Sequence, residues 1–271
     1  MPYDFGNKVV LITGAATGIG AAVVRIIVTE GVKHVAILDV AEAAGQELQN
    51  ELNSKYGANK VKFYKCDVTN DEVFLNIFDT VKAEQDYIDV VVNNAGIMND
   101  HPNVYRKEIQ INVTSVITST LKSIEIMRKD KGGRGGAVIN ISSIAGLIQE
   151  PPMLPIYYAT KSAVLQFSNC IGMNEYYSKY GVRVMAVCFG ATQTPLLSKA
   201  KLGHFDPEFE TGMMDIVKTF EHQSVESAAK GVVDTYKNGD SGTTWLVTRD
   251  EPAQDISGNV KKAYEILSTG I

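Results

Sequence analysis

Cysteine is scarce in this 271-residue sequence: the three present, Cys66, Cys170 and Cys188, are odd in number and far apart. That argues against a disulfide-stapled scaffold. Cys66 and Cys188 fall in strand-like runs, where a thiol packs as a small apolar group in a reducing compartment. Long apolar runs are missing as well. Residues 9–12 and 90–92 fall far short of the about 20 residues that cross a bilayer, and residues 1–8 show no basic-then-apolar leader. No membrane span and a cytoplasmic location are therefore expected. Nor is there a basic stretch: the net charge of −5 is spread along the chain, so nucleic acid is not an expected partner. The four histidines, His34, His101, His204 and His222, show no metal-ligand spacing, and no metal is expected.

What the sequence does contain is alternation. Short β-branched runs at 9–13, 35–39, 61–64, 89–93, 137–141, 183–188 and 244–247 are separated by helix-length stretches at 18–29, 41–56, 71–85, 104–127, 156–180 and 225–237. Strands this apolar are buried on both faces, which implies a parallel sheet covered by helices. Right-handed crossovers then predict an α/β, doubly wound sheet of about seven strands, a Rossmann fold, with ligands beyond the carboxyl ends of the strands. A hydrophobic share of 45% is ample for one core. With no low-complexity linker or repeat, a single domain over 1–271 is expected. Residues 195–223 break the alternation: Leu196, Leu197, Phe205, Phe209, Met213 and Met214 sit there among polar residues, after the sixth strand. That suits a lid over an apolar ligand; a small helical pair packed on the core is the alternative.

The run Thr13-Gly14-Ala15-Ala16-Thr17-Gly18-Ile19-Gly20 follows the first strand and opens the first helix. Gly14 permits a sharp turn, while Gly18 and Gly20 let backbone N–H groups and the helix start approach a pyrophosphate. The spacing differs from the more usual Gly-x-Gly-x-x-Gly. Asp39 closes the second strand, 19 residues after Gly20, where a carboxylate accepts hydrogen bonds from adenosine ribose hydroxyls and repels a 2′-phosphate. Neither Ala15, Ala16 nor Val40 offers the cation that a phosphorylated ribose needs, so NAD rather than NADP is the expected cofactor.

Taken with Asn93-Asn94-Ala95-Gly96, Asn112, Ser142-Ser143 and Tyr157-x-x-x-Lys161, this turn resembles the short-chain dehydrogenase/reductase family, motif by motif in order and over nearly the whole chain. Ala95-Gly96-Ile97 with Asp100-His101, the Gly132-Gly133-x-Gly135-Gly136 turn and the Ser-Thr-Gly-Ile C-terminus are similar to two of its branches. These are the insect-type alcohol dehydrogenases and the NAD-linked 15-hydroxyprostaglandin dehydrogenases. The resemblance implies metal-free, NAD-dependent oxidation of a secondary alcohol or reduction of the matching ketone. It also implies that Asp67 and Val68 bracket the adenine, that Asn94, Ala95 and Gly96 lie under the adenosine half, and that Gly190, Thr192 and Thr194 hold the nicotinamide carboxamide. Thr17, Ile19 and Val40 are counted with these cofactor-binding residues. Members of the family pair subunits through the helices that here hold Asn112 and Lys161, so a homodimer or homotetramer is expected.

Tyr157 and Lys161 are four residues apart at the start of a helix and share one face. A phenol ionises near 10 and is a poor base at neutral pH. An ammonium one turn away, with oxidised nicotinamide, favours the phenolate, which can then take the proton of an alcohol. Tyr158 also has helical spacing to Lys161, but the family pattern favours Tyr157. Ser143 can donate to the developing alkoxide or the carbonyl oxygen; Ser142 is the alternative, and loop capping fits it better. Asn112 interrupts the apolar pattern of Ile109, Val113, Val116 and Thr120, and a buried amide needs partners. A structural bond to a neighbouring strand would serve; the resemblance implies instead a bound water leading to Lys161.

Some positions depart from the family. Phe189 stands where proline is usual, and Leu154 where the prostaglandin dehydrogenases carry a substrate-contacting glutamine, which favours a less polar pocket. Ser143 precedes Tyr157 by 14 residues, and the extra residue is expected in the loop Gln149-Glu150-Pro151-Pro152-Met153-Leu154-Pro155. The expected function is hydride transfer between NAD(H) and an apolar alcohol or ketone. A catalytically idle dinucleotide-binding relative is the alternative; its mark would be loss of Ser143, Tyr157 or Lys161, and none is lost. If Asp39 selects the unphosphorylated ribose, Asp39→Ala combined with Val40→Arg shifts cofactor preference toward NADP in steady-state kinetics. Unchanged preference would refute that role.

Overall fold

Alternate residues of each central strand serve two different cores. Val10, Ile12, Val35, Ile37, Val90, Val92 and Ile139 pack on one side, against Val24, Ile27, Ala228 and Val232. Val9, Leu11, Ala36, Leu38, Val91 and Val138 pack on the other, against Phe74, Phe78, Val81 and Ile124. The period-2 geometry of a strand makes this division, and it is why the strands read as continuous apolar runs. The computed structural model describes residues 3–149 and 154–271.

The strands are β1 (Val9–Thr13), β2 (His34–Asp39), β3 (Val61–Lys65), β4 (Val90–Asn93), β5 (Gly136–Ser143), β6 (Val182–Phe189), β7 (Thr244–Val247) and β8 (Gln254–Asp255). They lie in the order β3-β2-β1-β4-β5-β6-β7-β8. All pairs are parallel except β7 with β8, which is antiparallel. The seven expected strands are thus present, and the two-residue β8 is an addition. Strand order reverses between β1 and β4, which opens a crevice at their carboxyl ends. Helices α1 (Gly18–Thr29), α2 (Glu42–Tyr56) and α3 (Asp71–Gln85) fall where the periodicity puts them.

Two long helices are interrupted. The stretch 104–127 is α4 (Tyr105–Ile109), a π-helical turn (Gln110–Thr114) and α5 (Ser115–Met127). Such a turn admits one extra residue and commonly marks a functional site; here it surrounds Asn112. The stretch 156–180 is α6 (Pro155–Ile171) and α7 (Asn174–Tyr180). The break falls at Gly172, where a Cβ would lie 2.6 Å from Gly242 Cα. Residues 195–223 hold a 3₁₀ turn (Pro195–Leu197) and α8 (Pro207–Lys218), followed by α9 (Val225–Asn238). An unforeseen α10 (Ser257–Leu267) has no buried residue. Most of the loop assigned the extra residue, at 150–153, lies outside the described residues. Among the described residues no helix is long and apolar enough to cross a membrane.

One polar cluster penetrates the sheet. The Asn140 side chain on β5 accepts from Asn93 Nδ2 at 2.8 Å and from Thr120 Oγ1 at 3.2 Å, and donates to Ser168 Oγ at 2.9 Å. It ties β4, α5 and α6 to one strand. Asn140→Ala leaves Asn93 and Ser168 buried without these partners, so it is expected to cost about 2–4 kcal/mol, read as a lower midpoint in denaturant unfolding.

Candidate active site

The site begins at the end of β1, where Gly14 and Gly18 take φ of +63° and +56°, the left-handed region open to glycine. A Cβ on Gly14 would lie 2.8 Å from Ala95 Cα, and one on Gly20 would strike the Gly14 carbonyl. The turn is therefore packed backbone to backbone against the segment after β4. Asn94 fastens the two, donating to the carbonyls of Thr13 at 3.0 Å and Gly14 at 2.9 Å, while Thr13 Oγ1 accepts from the amides of Asn94 and Ala95. Asp39 accepts from Ala16 N and Ala41 N, both at 3.0 Å. Its carboxylate thus stands beside the glycine-rich turn, and Val40 is exposed next to it.

The other expected cofactor contacts gather on the same rim. Val68 is buried. Asp67 accepts from Thr69 and pairs with Lys107 at 3.1 Å; burial works to raise this carboxyl, but those bonds hold it below its ordinary value. Thr194 reaches within 3.7 Å of a Cβ placed on Gly18, so the segment after β6 meets the turn after β1. Gly190 is needed because a Cβ there would run into Thr248. Thr192 donates to the Gly190 carbonyl and accepts from Gln223 Nε2 at 3.0 Å. Gln223, wholly buried, also donates to Val247 O at 2.8 Å. The sequence marks Gln223 only as the end of the expected lid, and its burial is decided by the segments that pack over it. Phe189 pairs in register with Ser143 on one side and Val247 on the other, so β6 runs one residue further than a proline there would favour.

Ser143, Tyr157 and Lys161 converge at the carboxyl end of β5 and the start of α6. Ser143 Oγ accepts from Ala145 N at 3.1 Å and donates to Phe189 O at 3.3 Å, and its hydroxyl lies close enough to the Tyr157 phenol to favour the phenol's ionised form. Ser142 instead turns to the helix, donating to the Lys161 carbonyl at 2.8 Å, a structural role. Lys161 Nζ donates to Ile141 O at 3.0 Å and stands 5.6 Å from the Tyr157 ring centre. Asn112 is fully buried and its amide is occupied: Oδ1 accepts from Ile97 N at 2.9 Å, and Nδ2 donates to Ile97 O at 2.8 Å and Thr160 Oγ1 at 3.1 Å. A Cβ on Gly96 would meet both Asn112 Oδ1, at 3.3 Å, and Lys161 Nζ, at 3.7 Å, so the two groups flank one glycine.

Burial dominates the electrostatics. It pushes the Tyr157 phenol well above its ordinary value; the Ser143 hydroxyl pulls back, and Glu108 pushes further up. It also lowers the Lys161 ammonium to about 8. The expected lowering of the phenol by its lysine is therefore not produced by the chain's own groups. Desolvation favours the neutral form of both partners, so the ammonium is lost before the phenol ionises. An added positive charge is what would reverse this.

Beside Tyr157 lies an apolar cluster of Met98, Ala145, Leu154, Leu202, Met213 and Val217. The last three of these come from the region 195–223, and Leu154 is the position where a glutamine would be polar. Sequence reasoning missed Glu108, a fully buried carboxyl on α4. Its placement four residues before Asn112, hence on the same helical face, was the available signal. Among the described residues no group of three or more His, Cys, Asp or Glu side chains could hold a metal ion.

Comparison with known proteins agrees with this fold. The family model described as short chain dehydrogenase matches residues 8–203. A 15-hydroxyprostaglandin dehydrogenase [NAD(+)] of Macaca fascicularis is 32% identical over 231 residues, covering 84% of this chain and 85% of its own. Alcohol dehydrogenase 1 of Ceratitis cosyra is 35% identical over 208 residues, 76% of this chain and 79% of its own. The solved structure of gox2181 superimposes with a TM-score of 0.75 over 91% of this chain and 96% of that one, at 23% identity, a likeness of fold.

Lys161 titrates lower folded than unfolded, so between about pH 8 and 10.5 the unfolded chain holds the extra proton and stability rises with pH. In the protein without added dinucleotide, Lys161→Met should remove a rise of up to about 3 kcal/mol across that interval. Chemical denaturation of both proteins at several pH values measures it; identical pH dependence would refute the buried-lysine account.

Proposed function

The chain belongs to the short-chain dehydrogenase family, and we propose that it is an NAD-dependent alcohol dehydrogenase or carbonyl reductase acting on an apolar secondary alcohol or its ketone. The observation that carries this is the meeting of Ser143, Tyr157 and Lys161 at the carboxyl end of the sheet, beside the glycine turn. The residues present fit the dinucleotide. Gly14 and Gly20 let the turn close against the segment after β4, Gly18 leaves open space beside Thr194, and the Asp39 carboxylate lies at the edge of that turn. Thr17, Ile19, Val40, Asp67, Val68, Asn94, Ala95, Gly96, Gly190, Thr192 and Thr194 complete the proposed contacts. The relatives whose names specify NAD(+) support the same choice. NAD, when bound, supplies the hydride acceptor and a positive ring.

The chain's own groups handle the proton. In oxidation, Tyr157 Oη takes the proton of the substrate hydroxyl as the phenolate and becomes a phenol; in reduction it returns that proton to the oxygen. Ser143 Oγ holds the same oxygen and stabilises its developing charge. Lys161 steadies the phenolate electrostatically once positive charge nearby offsets the cost of burial. The remaining lone pair of Asn112 Oδ1 is assigned to a water leading toward Lys161, a path for the proton to solvent. Leu154, Leu202, Met213 and Val217 line an apolar wall beside Tyr157, which favours a substrate with a hydrocarbon body. Residues 195–223 act as its lid, within one catalytic domain spanning 1–271.

Leu121, 51% exposed on α5, supports pairing of copies through α5 and α6 as a homodimer or homotetramer. A cytoplasmic location accords with the buried, unpaired thiols of Cys66 and Cys188. Tyr157→Phe should lower kcat by about 10³-fold, within the range of general acid–base catalysis, while NAD still binds by calorimetry. The screen that measures it follows NADH absorbance over short alcohols, fatty alcohols, retinoids, steroids and hydroxy-lipids. Substantial turnover by the phenylalanine variant, or none by the native protein in either direction, would reject the proposal.

A further inference from the structure

Asp100, in the loop after β4, is fully buried. Its two carboxyl oxygens accept main-chain bonds from Ile156 N at 2.7 Å and Tyr157 N at 3.0 Å, in the first turn of α6. The residue at the local N-cap position, Leu154, offers no side-chain acceptor. Asp100 therefore caps the helix from a distant part of the chain, where the positive end of the helix dipole favours a carboxylate. Its own N–H donates to Gly203 O at 2.9 Å, which joins the helix start to the region 195–223.

Glu108 is equally buried. Its Oε1 accepts from the amide of Asn99, the residue next to Asp100, at 3.1 Å; its Oε2 finds no ordinary donor among the described residues, and the Asp100 carboxyl lies beside it. Two carboxyl groups can bond only with a proton between them, because ionised carboxylates are acceptors alone. The two amides and the helix start favour charge on Asp100, so the proton sits on Glu108. Around the pair stand Tyr157 and Lys161 from α6, with Tyr158 beside Tyr157, and His204 from the region 195–223. Lys107, on Glu108's own helix, is paired with Asp67.

We propose that Asp100 and Glu108 hold one proton between them and are positioning residues for α6: Asp100 fixes the helix start, and the Glu108 proton keeps a second negative charge away from Tyr157. The inference rests on the reading of Tyr157 as the acid/base group. Burial, with the Asp100 charge adding to it, pushes Glu108 up to about 8 against the opposing Asn99 bond. Above that pH its charge becomes the foremost electrostatic opponent of the Tyr157 phenolate. The same charge also favours the Lys161 ammonium, where the Cys188 thiol, pushed up to about 12 by burial, stays neutral. Under this proposal, direct opposition to the phenolate is the larger of the two effects.

Glu108→Gln tests this, since the amide still donates to Asp100 but cannot titrate. Folded Glu108 keeps its proton to about 8 and unfolded Glu108 only to 4.5, so native stability falls as pH rises through that interval. The melting temperature of the variant relative to the native protein should therefore climb by several degrees across it and then level off. The native infrared spectrum at neutral pH should show a protonated-carboxyl stretch that Glu108→Gln lacks. The ascending limb of kcat/KM for alcohol oxidation should move to lower pH in the variant. Parallel melting profiles, or a native spectrum without that band, would overturn the shared proton. An unmoved limb with the band present would overturn its link to Tyr157. Should the variant not fold, the pH titration of the native band decides alone. Melting and infrared readouts need no substrate, so a failure to find turnover would count against the proposed function and leave this test standing.

Discussion

Everything the candidate site can do depends on where α6 sits, and a handful of polar contacts set that position within an apolar fold. Asp100 seizes the amides of its first turn, Asn112 reaches Thr160, Ser142 holds the Lys161 carbonyl, and Asn140 takes Ser168. Hydrophobic burial is non-directional, so apolar packing alone would let a helix rotate or slide on a sheet. Hydrogen bonds buried beyond the reach of water are directional and costly to break. Together they determine which face of α6 meets the end of β5, and hence that Tyr157 meets Ser143.

That placement carries an electrostatic consequence. A phenol and an amine brought into a dry crevice both lose solvation, and each retreats toward its neutral form. The chain by itself holds the couple at rest. In the proposed function, positive charge from a bound partner makes the phenolate accessible, which would link proton transfer to occupancy of the crevice. The neighbouring carboxyl pair belongs to the same balance, because a buried negative charge beside a phenol acts against its ionisation.

The opposite wall of the crevice obeys a different constraint. The turn after β1 approaches Ala95 so closely that Gly14 and Gly20 have no space for a side chain. The strand order reverses at the same place, which opens a crevice beside the start of α1, where the Thr17 side chain makes no capping bond. Fold topology and glycine geometry thus shape this wall before any particular side chain is considered, and the Asp39 carboxylate stands at its edge.

Much of this was legible in the residues themselves. Doubly apolar strands can be satisfied only by a covered parallel sheet, so the fold class, the strand positions and the glycine turn follow from pattern, and the spacing of Tyr157 and Lys161 follows from helical period. The interruptions of the long helices at Asn112 and Gly172 did not. They answer to partners distant in the chain, Ile97 and Gly242, and local periodicity carries no information about such contacts. The same holds for Asp100 and Gln223, polar residues whose burial is decided by what packs over them. Local order was written in the sequence because backbone geometry is local; the charge state of the site belonged to the tertiary structure, because desolvation depends on everything that surrounds a group.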